Sequence, residues 1–308
     1  MLPGCAGRTT DLGINDEKGL ILDNTPFFPQ EEYQCGPAAL ATLLGASGVA
    51  VHPDELVPQT YLPGRRGSLQ LELIAASRLH GRIPYVINPQ IKALVGELKA
   101  GRPVLVLQNL GLNILPAYHY AVVVGVLPEG KIVLRSGREQ NLVMDVDRFL
   151  ATWRRTDSWG IIALKPGGLP VEPDPVRYLS AVSAFESQGN ILPAEDSYRA
   201  AVAAWPINQS ALFALANNVL SQNRYPEAET LYRKLLAINP DHVAASNNLS
   251  ETLIHLGCYE EAAALINQAS ITARKLNSPL RETILQTRDE ITQRLNAAPV
   301  SANNSCKE

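Results

Sequence analysis

The sequence predicts an α+β domain followed by an all-α solenoid of helical pairs. Three observations carry that division: helical periodicity precedes β-type runs in the first half, a breaker-rich stretch KPGGLPVEPDP fills residues 165–175, and beyond it alanine rises and a 34-residue period sets in. At 308 residues the chain is long enough for two cores. The expected limits are a tail over 1–20, the α+β domain over 21–164, the linker over 165–175, the repeats over 176–296 and a disordered polar tail over 297–308.

Within the first domain, Ala38, Ala39, Leu40, Leu43 and Leu44 recur at helical spacing between Pro37 and Ala46. Pro37 falls in the first turn, and Gly45 and Gly48 fall near the end. The polar, proline-rich stretch HPDELVPQTYLPGRRG then reads as a loop with His52 on its surface. Ser68 is expected to cap a helix from Leu69 to Leu79 that closes at His80-Gly81, where His80 complements the helix dipole. Tyr85 to Ile87 reads as a short strand, Ile91 to Ala100 as a helix and Val104 to Leu107 as a buried strand. Tyr118 to Leu127 and Lys131 to Arg135 form a hairpin around Pro128-Glu129-Gly130, and Asp147 caps a helix beginning at Arg148. Helices first and antiparallel strands second is the α+β order.

The chemistry concentrates at two places. Cys35 precedes the first helix, and a thiol at a helix N-terminus meets unpaired backbone N–H groups and the positive end of the dipole, which favour the thiolate. His119, in AYHYAVVVGV, supplies an imidazole able to take the thiol proton. Gln30, five residues before Cys35, carries an amide N–H suited to a developing oxyanion. A lone cysteine or histidine is ordinarily a packing residue, and it is the order Gln, Cys at a helix start, then His heading a β-run that points to catalysis.

With PFFPQ, CGPAAL and HYAVVVG in that order, residues 24 to about 155 resemble the bacteriocin-processing, double-glycine leader peptidases of the papain clan and their stand-alone relatives. The resemblance implies a papain-like fold, with Cys35 as nucleophile, His119 as general base and acid, and Gln30 as oxyanion donor. The family pattern places Asp-Pro after the strand that follows the histidine strand, whereas this chain has Arg135-Ser136-Gly137. Ser136 is therefore the expected orienter of the imidazole, a neutral and weaker one than a carboxylate. Asp145 and Asp147 are the nearest carboxylates downstream.

In the second half, Pro206 and Pro240, Leu215 and Leu249, Tyr225 and Tyr259, Ala228 and Ala262, and Leu231 and Leu265 are each 34 residues apart. Ala194 and Ala228, Glu195 and Glu229, and Tyr198 and Tyr232 extend the register backwards. Small residues at helix crossings, an aromatic between helices and a proline ending the second helix resemble the tetratricopeptide repeat, which implies helical pairs closed by a last helix from Pro279 to Leu295. Such arrays imply a concave binding face, expected here to carry Asn217, Asn218, Asn247 and Asn248 as amide partners for an extended peptide.

Composition limits the alternatives. The 27 basic residues are scattered and the net charge is −3, so no nucleic-acid footprint stands out. Cys5, Cys35, Cys258 and Cys306 are far apart, which suggests neither a disulfide framework nor a zinc site, and no metal or organic cofactor is expected. No apolar run reaches the roughly 20 residues that span a bilayer. The start, Leu2-Pro3-Gly4-Cys5, resembles the cleavage box before a lipidated cysteine without the preceding signal regions. A start further upstream would make the protein a periplasmic or envelope-anchored lipoprotein, with membrane contact through Cys5; otherwise the expectation is cytoplasmic.

Three functions follow. The first is a cysteine peptidase that cuts a peptide or protein substrate, with the repeats recruiting a protein partner. The second is a weak or inactive peptidase-fold binding module acting as a scaffold in an envelope assembly, which the missing acid favours. The third is acyl or amide transfer on the same pair. A spaced GxxxxGK[S/T] phosphate loop is absent, so the sequence does not read as the transporter-fused form.

Overall fold

The computed structural model describes residue 12 and residues 18–29, 34–65 and 67–297. The chain divides into two compact units, Met1–Asn190 and Ile191–Glu308.

The first unit is built on one antiparallel sheet. Its elements run β1 (Leu20–Ile21), α1 (Cys35–Ala46), α2 (Pro53–Thr60), α3 (Gln70–Leu79), β2 (Ile83–Val86), α4 (Ile91–Lys99), β3 (Val104–Asn109), β4 (Tyr118–Leu127), β5 (Lys131–Ser136), β6 (Glu139–Asp145), α5 (Val146–Arg154), β7 (Gly160–Leu164) and α6 (Pro175–Glu186). The strand order is β2-β7-β3-β4-β5-β6, with β1 added to β4. β4 is the long central strand: β3 pairs its first part, from Tyr118 to Val123, and β1 pairs Gly125 and Val126 beyond. A side chain at Gly125 would run into the Leu20 carbonyl, so the glycine lets β1 approach.

Strand alternation sorts the two faces of the sheet. Leu105, Leu107, Tyr120, Val122 and Val124 face α1 and pack with Leu40, Leu43 and Leu44 in one core. On the other face the Gln108 amide donates to Thr152 Oγ1 of α5 at 2.7 Å. Because both faces are covered, β3, β5 and β7 are buried almost throughout and read as continuous apolar runs. Helix α1 is buried from Gly36 to Leu44, which explains its lack of a polar stripe.

Several expectations change. Residues 53–60 are helical, not loop: His52 is the N-cap, Pro53 sits in the first turn, Glu55 Oε1 accepts the His52 N–H at 2.9 Å, and His52 stays exposed. Ser68 does not cap α3, whose N-cap position is Leu69 with no side-chain bond. Helix α5 starts at Val146, two residues earlier than expected, with Asp145 rather than Asp147 at the cap position. Segment 165–175 is tied to the sheet unit, since Glu97 Oε1 accepts the Val171 N–H at 2.7 Å and Tyr178 donates to the Gly168 carbonyl at 2.9 Å. By packing, α6 also groups with the sheet, and the compact division falls after Asn190.

The second unit is helical: α7 (Ile191–Ala204), α8 (Gln209–Ser221), α9 (Tyr225–Ile238), α10 (Val243–His255), α11 (Tyr259–Lys275) and α12 (Arg281–Ala297). The 34-residue pairs occupy equivalent places. Tyr225 and Tyr259 open α9 and α11, Ala228 and Ala262 are fully buried, and Leu215 and Leu249 are buried in α8 and α10. Glu195 of α7 accepts from Arg199, Arg224 and Gln222 at 2.6–2.9 Å.

Candidate active site

Cys35 is the first residue of α1, a position whose backbone N–H has no acceptor within the helix. The neighbouring Gly36 is required by packing. A Cβ there would lie 2.2 Å from Ser68 Oγ and 2.5 Å from Ser68 Cβ, so the segment before α3 presses directly on the helix start. Among the described residues the buried Ser68 hydroxyl has no hydrogen-bond partner. The Tyr120 hydroxyl donates to the Ser68 carbonyl at 3.3 Å, joining the same segment to β4.

His119 is the second residue of β4 and is half-buried. Its Nε2 lies 2.9 Å from Ser136 Oγ, the hydroxyl at the end of β5. The register that produces this meeting ends in a tight turn: Ser136 pairs with Glu139 across Gly137 and Arg138, with Gly137 at φ +60°. Arg135, one residue earlier, is buried and donates to the Thr25 and Gln140 carbonyls and to Asn141 Oδ1, which fixes the end of β5. Asp145 is paired with Lys131 at the opposite end of the β5–β6 ladder, away from His119. The alternative orienter raised by the sequence is thereby removed.

Burial dominates the protonation of both groups. It pushes the Cys35 thiol up, against the opposing pull of the backbone N–H groups of Tyr120, Gly36 and Cys35 itself. It also pushes the His119 imidazole down. Burial thus opposes the shift toward the thiolate that the helix start favours, since desolvation outweighs the N–H groups. Sulfur and imidazole share no hydrogen bond among the described residues; Cys35 approaches β4 through the Tyr120 N–H, adjacent in sequence to His119. Gln30 lies outside the described residues.

The four asparagines behave differently from the expectation. Asn218 is buried, and its amide donates to the Ile191 carbonyl at 3.0 Å. Asn247 is buried and donates to Glu251 Oε1 at 2.8 Å. Asn217 Oδ1 accepts from the Tyr232 hydroxyl at 2.6 Å and from Asn248 Nδ2 at 2.9 Å, linking α8, α9 and α10. Asn217, Asn218 and Asn248 join neighbouring helices whereas Asn247 bonds within α10, so the buried Asn218 and Asn247 are not available to a peptide, and Asn217 and Asn248 remain half-exposed. Cys258, expected to be unbridged, is the half-buried N-cap of α11 and is disulfide-bonded, whereas Cys35 is free. Cys5 and Cys306 lie outside the described residues. Among the described residues no cluster of His, Cys, Asp or Glu is arranged to hold a metal.

Fold and site together define a papain-like α+β domain followed by helical repeats. Residues 22–159 match the Peptidase_C39 like family, and residues 179–241 and 219–279 match tetratricopeptide repeats. The chain thus carries a C39-like peptidase domain joined to tetratricopeptide repeats. Among similar solved structures are the peptidase domain of Streptococcus ComA, a bifunctional ABC transporter involved in quorum sensing (19% identity, TM-score 0.36, 48% of this chain and 98% of that one), and a double glycine motif protease from an AMS/PCAT transporter with its leader peptide (16%, TM-score 0.35, 49% and 95%). The peroxisomal targeting signal receptor of Kluyveromyces lactis is 28% identical over 113 residues, 37% of this chain and 20% of that protein. The chain spans about a fifth of the length of the curated relatives it matches.

Proposed function

We propose that this protein is a cysteine peptidase whose repeats bring a protein or peptide to the site. Cys35 is the nucleophile. As its sulfur attacks the scissile carbonyl, its proton passes to His119, and the same imidazole later protonates the leaving amine. Water then hydrolyses the thioester. The Cys35 N–H and Gln30 stabilise the tetrahedral oxyanion, while Ser136 holds the imidazole through Nε2, leaving Nδ1 for the thiol. The observation that supports this reading best is the 2.9 Å His119–Ser136 contact on the strand whose next N–H meets the Cys35 sulfur.

A mixed peptide library read by mass spectrometry tests it. The intact protein is expected to cut a subset of sequences, Cys35→Ala is expected to cut none, and residual cutting by Cys35→Ala would defeat the assignment. Removing residues 191–308 is expected to weaken capture and cleavage of a native substrate while sparing short peptides. The scaffold reading keeps one specific support, namely a neutral serine where a carboxylate would stabilise imidazolium. Absence of cutting with normal peptide binding would favour it.

A further inference from the structure

The connection between β3 and β4, residues 110–117, leads straight into His119 and is unusually apolar for a surface loop. From Val104 to Leu127 the chain carries no Asp, Glu, Lys or Arg. Leu112, Ile114 and Leu115 are 63%, 91% and 76% exposed, and Tyr118 at the loop's foot is also exposed. The loop is held out by hydrogen bonds: Leu112 and Leu115 exchange backbone bonds at 3.2 and 3.1 Å, and Asn109 Oδ1 accepts the Gly111 and Ala117 N–H groups at 3.0 and 2.9 Å. At the foot, the exposed Arg155 donates to the Asn109 and Gly111 carbonyls at 3.2 and 2.7 Å, beside the exposed Arg154. Asp157 is the acidic residue lining the adjacent pocket of about 310 Å³.

We infer that this loop is a prong that inserts into the interface of an anionic lipid surface. A convex tip with Ile114 almost wholly exposed has no walls to sort the side chains of a peptide, but it can bury its aliphatic groups in a fluid medium. Tyr118 and Arg155 at the foot match the headgroup level, where aromatic and cationic groups are stabilised. Among the described residues no helix is long and apolar enough to cross a membrane, so the contact is peripheral. Lipid binding stands apart from the catalytic reading. Its consequence, that β4 presents the site to membrane-proximal peptides, rests on that reading.

Flotation of the full-length protein with vesicles tests the proposal, comparing phosphatidylcholine alone with phosphatidylcholine containing about one quarter phosphatidylglycerol. The protein is expected to float with the anionic vesicles and less with the neutral ones. The double variant Ile114→Ser, Leu115→Ser should lose at least about tenfold in partitioning, with the Cys35 alkylation rate unchanged as a check on folding. Ile114→Trp should show a blue-shifted emission quenched by bromine on the acyl chains. Failure of the unmodified protein to float, equal flotation on both vesicles, or undiminished flotation of the double variant would overturn it. So would loss of soluble-peptide cleavage in the double variant without any vesicle binding, which would make the loop a peptide dock.

Discussion

Changing Ser136 to Asp is expected to move the acid limb of Cys35 reactivity toward higher pH. In the native protein His119 Nε2 meets a neutral hydroxyl at 2.9 Å, in a place where Ser136 is only 9% exposed and solvent screening is weak. A hydrogen bond between neutral groups contributes about 1 kcal/mol, and one to a charged group about twice that or more. The carboxylate should therefore stabilise imidazolium by about 1.4 kcal/mol more than the serine does, which is one unit of pKa. Burial lowers the native imidazole, so the neutral base persists below pH 6.5 and the native acid limb lies under that value. In Ser136→Asp the limb should rise by about one unit, and the thiolate–imidazolium pair should become more populated near neutrality. Ser136→Ala should slow turnover by about tenfold at most. The assay is the rate of iodoacetamide alkylation of Cys35 against pH, which needs no substrate. Identical profiles for the native protein, Ser136→Ala and Ser136→Asp would refute the reasoning that the His119–Ser136 contact governs the base.

Gly36→Ala should lower the urea midpoint by an amount equivalent to about 1–3 kcal/mol, because the new Cβ meets both heavy atoms of the Ser68 side chain. Adding Ser68→Gly should restore part of the loss, and strictly additive effects would deny the contact. Glu195 should make the helical unit acid-sensitive. Burial pushes its carboxyl up, but Gln222, Arg224 and Arg199 hold it down to about 2, so its contribution is complete above the ordinary carboxylate range and fades as pH falls toward 2. Calorimetry of the full chain should show Glu195→Gln destabilised by about 2 kcal/mol at pH 7, with a flatter pH dependence below 4.5.

The sequence exposes what local chemistry determines. The Cys35 helix shows its periodicity and punctuation, the β4–β5 hairpin has long apolar runs around a Pro-Glu-Gly turn, and the repeats declare their period. Helix α2 is hidden because Pro53 and Pro58 read as breakers, whereas Pro53 is favourable in a first turn and His52 with Glu55 completes a capping box. Strand β7 pairs with β2 and β3, both distant in sequence, and no local signal announces that insertion. The site shows the same division. Ser136 is legible because it falls at the end of the strand paired with the histidine strand, whereas the direction of the Cys35 shift depends on how deeply α1 is covered. Asparagine as a residue type does not distinguish a solvated amide from a buried one, and Asn218, bonded to the Ile191 carbonyl, and Asn247, bonded within α10, are both buried. Ser68 lacks any sequence signal, since its role comes from a close approach to Gly36 between segments about thirty residues apart.

Whether Cys35 and His119 act as one unit is read from alkylation of Cys35 in the native protein and in His119→Ala at neutral pH. Native Cys35 is expected to be labelled well before the bridged Cys258, and loss of the imidazole to slow this labelling by at least about tenfold. Equal rates for the native and His119→Ala proteins would show that the two residues act separately.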